Sequence, residues 1–161
     1  MRHYLGNSAK LFAVLGALLA VAAGTGAFAS AAGTSGQTFT VREKVKSFQL
    51  VDVGGPGISP GDEAIYRLRV NALDGTRLGV NNAVCTVLTP VGANLAHCVG
   101  TARLPGGTIE WAGVLRLDRL HSNFAVTGGT GAYRAAAGQV FTHWTNPPTN
   151  TRALVTVQLA G

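Results

Sequence analysis

The sequence predicts an all-β fold of about eight antiparallel strands. Segments rich in β-branched and aromatic residues alternate with turn signals that recur about every ten residues. No window has a convincing helical period, and 22 glycines are too many for long helices. The connections are short, so sequence neighbours are expected to pair antiparallel. This pattern fits a closed barrel and a two-sheet sandwich equally well.

The strands follow one another along the chain with clear turns between them. The first, residues 38–53, changes phase near Lys46 and Ser47, which indicates a β-bulge. Asp74 and Gly75 form a strong hairpin turn signal after the second strand. The second to eighth strands are predicted at residues 65–73, 78–89, 95–103, 108–117, 124–127, 139–144 and 152–159.

A glycine-rich stretch near the end of the chain is the most informative part of the sequence. Residues 124–127 are predicted to be a strand that ends at the run Gly-Gly-Thr-Gly, residues 128–131. That run is expected to be a tight turn, because glycine adopts positive φ readily and loses the most entropy on ordering. Residues 135–138 carry only alanine and glycine, so another backbone is expected to approach closely there.

The first 29 residues have the layout of a secretory signal peptide. Arg2 and Lys10 flank a short charged start, residues 11–24 are almost wholly apolar, and small residues lead to a cleavage site after Ala29. The alternative is a membrane anchor, but the apolar run is shorter than the about 20 residues that a span requires. The sequence therefore predicts a flexible leader at 30–37 and a secreted, extracellular domain at 38–161 without a membrane span.

The basic residues are scattered rather than concentrated. Loss of Arg2 and Lys10 with the signal lowers the formal net charge from +6 to +4. Alternating cations, as in Arg42 and Lys44 or Arg67 and Arg69, are typical of the solvent-facing side of a strand. Nucleic acid is not expected as a partner, since its binders cluster cations with interleaved aromatic residues. Weak attraction to anionic polymers of the cell envelope stays open.

Cys85 and Cys98 are the only cysteines of the chain. They are predicted on consecutive strands at similar distances from a turn near Gly92, which places them roughly opposite each other. In an exported protein the expected state is a disulfide. A reactive thiol is the alternative.

The glycine-rich stretch resembles the signature of the allene oxide cyclase and dirigent protein superfamily, whose members carry a similar run near the end of a small β-barrel. Further motifs occur in the expected order, which makes the combination more specific than any one motif. They are Gly61 with Asp62, the turn at 74–79, the strand at 85–87 and the turn at 104–109. The resemblance covers roughly residues 61–140 and identifies the chain as similar to bacterial-type secreted members. It implies a closed antiparallel eight-stranded β-barrel. It also implies a trimer, although no residue of this sequence identifies an interface.

Catalytic motifs of other kinds are absent from the sequence. There is no G-x-S-x-G, H-E-x-x-H or C-x-x-C pattern. His97, His121 and His143 lie far apart and lack the spacing of metal ligands. No metal and no cofactor are expected. The catalytic residues are unknown, with Glu43 and Glu110 as weak candidates, because they are the carboxylates expected to face a barrel lumen.

Aromatic residues on several strands could line an apolar lumen or simply fill it. The candidates for ligand binding are Tyr66, Trp111, Phe141 and Trp144, with Arg67 or Glu110 as the group that orients a small hydrophobic ligand.

Three functions stay open at this point. The resemblance implies a barrel that holds a small hydrophobic molecule and guides a cofactor-free cyclisation, as an isomerase, or a stereoselective coupling, as a dirigent protein. The alternatives are a non-catalytic extracellular or cell-envelope scaffold and a lipocalin-like carrier. A lumen filled by Trp111, Leu115 and Trp144 would favour the scaffold. An empty lumen with a buried carboxylate would favour the cyclisation or coupling function. An empty lumen without a titratable group would favour the carrier.

Overall fold

The structure, a computed structural model, describes residues 36–89 and 94–161. The predicted signal peptide at 1–29 and most of the leader lie outside the described residues. Eight antiparallel strands form a closed barrel in which each strand pairs with its sequence neighbours and β1 pairs with β8. The strands are β1 Thr38–Val51, β2 Glu63–Asn71, β3 Arg77–Val87, β4 Leu95–Leu104, β5 Gly107–Arg116, β6 His121–Gly129, β7 Gly138–Trp144 and β8 Arg152–Leu159.

The closed barrel confirms the predicted fold class and excludes the sandwich. Strand ends fall within two residues of the predicted ones, with the exception of the start of β6. The interior follows the period-2 alternation of each strand, so apolar side chains such as Val41, Val70 and Ile109 are buried inside. No helix in the described part of the chain is long and apolar enough to cross a membrane.

The predicted bulge in β1 is confirmed and shapes one end of the barrel. The pairing with β2 shifts register between Val45 and Ser47. Because one extra residue reverses the alternation, Phe48 comes to lie opposite the inward-facing Tyr66, and their ring centroids are 5.1 Å apart. Phe48 is nevertheless 55% exposed, since it stands at the rim. We call this end of the barrel the mouth.

The glycine-rich stretch differs from its predicted form, because β6 begins at His121 and includes Gly128 and Gly129. The two glycines pair with β5, and these pairs outweigh the entropic cost of ordering glycine. The turn comes later, as a short 3-10 segment at Gly131–Tyr133. The stretch then packs on the β4–β5 turn, where the backbone N–H of Ala132 donates to the Gly106 carbonyl at 2.8 Å. It therefore covers the end of the barrel opposite the mouth.

The loop between β1 and β2 is held by a single carboxylate. The backbone N–H groups of Val53 and Ser59 donate to the fully buried Asp62, at 2.9 and 2.7 Å. These hydrogen bonds, the one from Val53 first, lower the pKa of Asp62. The Asp62 carboxylate thus fixes the conformation of this loop, which forms one side of the rim of the mouth, through hydrogen bonds from the backbone.

The disulfide between Cys85 and Cys98 is confirmed, and it joins directly paired residues of β3 and β4.

We predict that the double variant Cys85→Ala/Cys98→Ala lowers the free energy of unfolding by about 3 kcal/mol, because the bridge restricts the unfolded chain. Urea unfolding of the variant and of the oxidised wild type measures this difference. Equal midpoints and slopes would show that the bridge contributes nothing to stability.

The two adjacent glycines of β6, Gly128 and Gly129, differ in how closely other backbone atoms approach them, and this difference can be tested. A Cβ on Gly129 would overlap the backbone oxygens of Thr108 and Tyr133, whereas a Cβ on Gly128 meets nothing within 4 Å. We predict that Gly129→Ala destabilises the barrel by about 1–3 kcal/mol or more, from the overlap with backbone that cannot move freely. Gly128→Ala is the control and should change stability by no more than about 0.5 kcal/mol. Thermal unfolding of both variants checks the difference, and similar melting temperatures would contradict it.

Candidate functional site

A buried carboxyl group lies inside the barrel. Glu43 projects inward from β1, between its cross-strand partners Val70 and Ala153, and is only 8% exposed. Its position follows from alternation, because the inward-facing Val41 and Val45 are two residues away on either side. An ionisable group in a lumen of apolar side chains is costly, which makes it a candidate for function.

Two side chains from other strands connect to this carboxyl group. The Asn81 amide nitrogen Nδ2 donates to Oε1 of Glu43 at 3.0 Å, and Asn81 is itself 5% exposed. The indole Nε1–H of Trp111 donates to the Asn81 oxygen Oδ1 at 3.2 Å. The three residues form a chain of hydrogen bonds across the lumen, from β5 through β3 to β1, and the bond from Trp111 orients the amide so that its N–H groups face Glu43.

Neighbouring strands hold the Trp111 indole in place. The ring packs against Phe124 with a centroid distance of 4.7 Å. It also lies over Gly100 of β4, where a Cβ would overlap the indole ring. Glycine is therefore required at position 100, because a Cβ there would occupy the space of the indole ring. With glycine at this position, Trp111 can donate its hydrogen bond to Asn81.

The lumen changes the acidity of Glu43. Burial, which disfavours the charged form, raises the pKa of Glu43 from 4.5 to about 7, and the hydrogen bond from Asn81 opposes this only in part. Both protonation states are consequently populated near neutral pH. The carboxyl group can donate a proton or a hydrogen bond to a ligand, and it can also accept one.

The cavity beside this group is small and largely apolar. It has a volume of about 60 Å³. Its wall also includes the disulfide and the polar residues Asn81, Ser122 and Thr142, and the buried Ser122 Oγ has no hydrogen-bond partner among the described residues. A ligand that reached the cavity would find the Glu43 carboxyl group and the unpaired Ser122 hydroxyl within a largely apolar wall. The apolar and aromatic lining residues are Tyr66, Leu68, Ala83, Trp111, Leu115, Phe124, Val140, Trp144 and Val155.

A larger pocket opens at the mouth, with a volume of about 340 Å³. Tyr66, Leu115 and Trp144 line both this pocket and the inner cavity, so these three side chains separate the two. We call them the gate residues. Burial raises the pKa of Tyr66, which keeps its hydroxyl protonated and able to donate.

The outer edge of the mouth pocket is charged. Arg116 and Arg119 line the pocket, and Arg116 forms a two-pronged ion pair with Asp118 at 2.9 and 3.0 Å. The hydrogen bond from Arg116 lowers the pKa of Asp118. The mouth therefore offers apolar and aromatic walls with a polar rim, which is the usual composition of a small-molecule site.

The structure divides the sequence-predicted site residues between the two faces of the barrel. Tyr66, Trp111 and Trp144 line the lumen. Three other candidates, Arg67, Glu110 and Phe141, lie on the outer face rather than in the lumen, and their part in ligand binding or catalysis stays a prediction. Each alternates with inward residues, as Glu110 does with Ile109 and Trp111, so its side chain leaves the lumen.

The buried polar residues Asn81 and Ser122 of the lumen were missed in the sequence. Asn81 shares the alternation of Ala83 and Cys85, and that signal could have placed it inside. Ser122 could not be found, because β6 was predicted to begin only at residue 124.

The histidines are also arranged differently from the prediction. His121 and His143 are cross-strand partners, and their ring nitrogens approach to 3.0 Å on the exposed surface. No group of three or more histidine, cysteine or acidic side chains that could hold a metal ion occurs within residues 36–89 and 94–161.

Several solved structures share this barrel. A pyocyanin demethylase is similar at 25% sequence identity and a TM-score of 0.67, over 77% of this chain and 100% of its own. AbnU, an exo-specific intermolecular Diels-Alderase, is similar at 17% identity and a TM-score of 0.65, over 79% and 99%. The pterocarpan synthase dirigent protein PsPTS1 follows at 17% identity and a TM-score of 0.59, over 79% and 94%.

No curated protein matches the sequence closely enough to count as a relative. The model of the allene oxide cyclase barrel like domain matches residues 38–157, which is the whole barrel except its last residues. The eight-stranded closed sheet, the glycine-rich stretch and this match agree, and the chain belongs to the allene oxide cyclase barrel-like family.

Proposed function

We propose that this protein binds a small, largely apolar molecule at the mouth of the barrel and guides its cyclisation or stereoselective coupling without a cofactor. The observation that carries the proposal is the buried carboxyl group of Glu43, with a pKa of about 7, at the end of a hydrogen-bond chain inside an apolar lumen. A stable scaffold gains nothing from such a group, because burial of an ionisable side chain costs free energy. Reactions of this kind depend on shape, exclusion of water and one well-placed polar group.

In this proposal Glu43 acts as a general acid. Its protonated form would donate to an oxygen of the ligand on which negative charge develops as a bond forms or a ring opens. Asn81 holds one carboxyl oxygen, and within the described residues no second side chain bonds to the carboxyl group. The other oxygen would therefore face the ligand.

The size of the two cavities restricts how a ligand could bind. Pockets for small molecules usually measure roughly 300–1,000 Å³. The mouth pocket of about 340 Å³ falls in this range, whereas the lumen cavity of about 60 Å³ does not. We propose that the ligand binds at the mouth and that the gate residues move aside to admit its reactive end to Glu43.

The names of similar structures support a chemistry of this class. They include Diels-Alderases, whose named reaction closes a ring, as well as pterocarpan synthase dirigent proteins and a demethylase. By analogy we propose an isomerase or a dirigent-type guide. We further propose export after loss of residues 1–29, which the disulfide supports because such bonds persist in oxidising compartments.

A non-catalytic scaffold is the second candidate, and one observation favours it. Trp111, Leu115 and Trp144 already take up much of the lumen, which leaves the inner cavity small. The lipocalin-like carrier is disfavoured by Glu43, since a carrier for apolar molecules has no use for a buried acid.

The protonation of Glu43 can be measured through stability. Its pKa is about 7 in the folded protein and 4.5 in the unfolded chain, so unfolding releases a proton between these values. Stability is therefore unaffected by this group below pH 4.5, falls by about 3 kcal/mol as pH rises towards 7, and stays lower above it. We predict that Glu43→Gln removes this fall, so that the variant gains stability over the wild type as pH rises.

Urea unfolding of wild type and variant between pH 4 and 9 tests the prediction. Glu110→Gln is the matched control, because Glu110 is exposed on the outer face and its loss should leave the pH profile parallel to that of the wild type. A constant difference between wild type and Glu43→Gln at all pH values would show that the buried carboxyl group is not perturbed.

Binding at the mouth can be tested with the neutral apolar fluorophore N-phenyl-1-naphthylamine. We predict that the wild type binds it and that Phe48→Ala weakens binding roughly fivefold to tenfold, because one aromatic wall of the pocket is lost. Phe141→Ala is the control, since Phe141 is an aromatic residue on the outer face. Fluorescence titration gives the dissociation constants. No binding by the wild type, or equal loss in both variants, would favour the scaffold.

Native mass spectrometry of protein recovered from its own growth medium would then identify a retained molecule. A retained apolar compound supports the proposed function. A nucleotide or a metal ion at full occupancy would overturn it.

A further inference from the structure

A row of cations crosses three neighbouring strands on the outer face of the barrel, away from the mouth and the lumen. Lys44 of β1 pairs directly with Arg69 of β2 on one side and with Arg152 of β8 on the other. Arg42 lies two residues before Lys44 and projects from the same face. We call these four residues the cation row.

The row is not neutralised by the protein. In the described part of the chain, the ion pairs are those of Asp118 with Arg116 and Arg119. Glu43 lies between Arg42 and Lys44 in sequence, but its side chain faces the lumen. Like charges directly opposite each other on a sheet destabilise it, and Lys44 has such a neighbour on both sides.

The four cations surround a depression with a volume of about 430 Å³, whose wall also includes Asn71, Thr145 and Leu154. Glu43 and Ala153 contribute to the same wall, although both are buried and the Glu43 carboxyl group faces the lumen. The Nε atom of Arg69 is buried there and has no hydrogen-bond partner among residues 36–89 and 94–161. A guanidinium Nε–H belongs to the planar fork that binds phosphate and carboxylate oxygens in pairs. The depression thus combines unpaired positive charge with an unsatisfied buried donor.

We propose that the cation row binds an oligophosphate, an anion that carries two or three linked phosphate groups. Adjacent strands lie about 4.8 Å apart, so the row from Arg152 to Arg69 extends over roughly 10 Å, and Arg42 lies about 7 Å further along its strand. Linked phosphates can pair with the cations at this spacing one by one, without drawing four like charges together on a single anion. The bound anion would remove the repulsion along the row and give Arg69 Nε an acceptor.

Nucleic acid fits the site less well than an oligophosphate. Binders of single strands provide aromatic side chains on which bases stack, and no described aromatic residue lines this depression. The same phosphate chemistry occurs in soluble oligophosphates and in the headgroups of anionic lipids, so the experiment has to separate these two sources.

Calorimetric titration with inorganic tripolyphosphate tests the proposal. We expect binding by the wild type that weakens steeply with added salt, because counterions compete for the cations. Lys44→Gln/Arg69→Gln should reduce affinity roughly tenfold or more, since two charge-assisted contacts are lost. Arg103→Gln/Arg134→Gln is the control, because it removes the same charge from exposed positions outside the row, and its affinity should stay within about twofold.

A second measurement separates binding from folding. Tripolyphosphate should raise the melting temperature of the wild type and of the control, but not that of Lys44→Gln/Arg69→Gln. In low salt without ligand, the Lys44→Gln/Arg69→Gln variant should melt no lower than the wild type, because it loses like-charge repulsion. Equal affinity of the two double variants would overturn the proposal, since net charge alone would then explain binding.

Binding to lipid vesicles tests whether the phosphate groups recognised by the cation row belong to anionic lipid headgroups. The proposal predicts that tripolyphosphate competes with any binding to phosphatidylglycerol vesicles, and that phosphatidylcholine vesicles do not bind. Binding to phosphatidylglycerol vesicles without measurable affinity for tripolyphosphate would overturn it in favour of a membrane surface. Because these tests do not involve the mouth or Glu43, their failure leaves the proposed function unaffected.

Discussion

The pairing of β1 with β8 is the constraint on which the rest of this structure depends. Residues Thr38 to Lys44 pair with Gln158 to Arg152, and this ladder converts an open meander into a closed barrel. Closure removes both sheet edges and gives every strand an inner and an outer face. An apolar lumen from which water is largely excluded exists only because the last strand meets the first.

That lumen accounts for the chemistry of the candidate site. Glu43 has a raised pKa because closure surrounds it with apolar side chains, and the hydrogen bond from Asn81 compensates only in part. A buried acid therefore reduces stability at neutral pH, while the disulfide adds to it. Such a distribution, with a costly polar group supported by a rigid frame, is common at functional sites.

One short segment of β1 contributes to both proposals. Glu43 faces the lumen, and Arg42 and Lys44 on either side of it face outward. The same closure that buries the carboxylate places Arg152 beside Lys44, so the cations cannot be neutralised by the acid between them. Two chemically opposite environments are thus separated by the thickness of a single sheet.

The sequence by itself determined the features that depend on local pattern. Alternation and turn signals predicted eight strands and the β1 bulge, and the spacing of Cys85 and Cys98 predicted their bridge. Tertiary structure decided which distant side chains meet. Asn81 contacts Glu43 across 38 residues of sequence, and His121 lies beside His143, because strand register sets these contacts. Register depends on how the whole barrel closes, and no local period contains that information. Glu110 shows the opposite case, in which the local pattern held the answer. It was expected in the lumen, although the inward-facing Ile109 and Trp111 on either side of it direct its side chain outward.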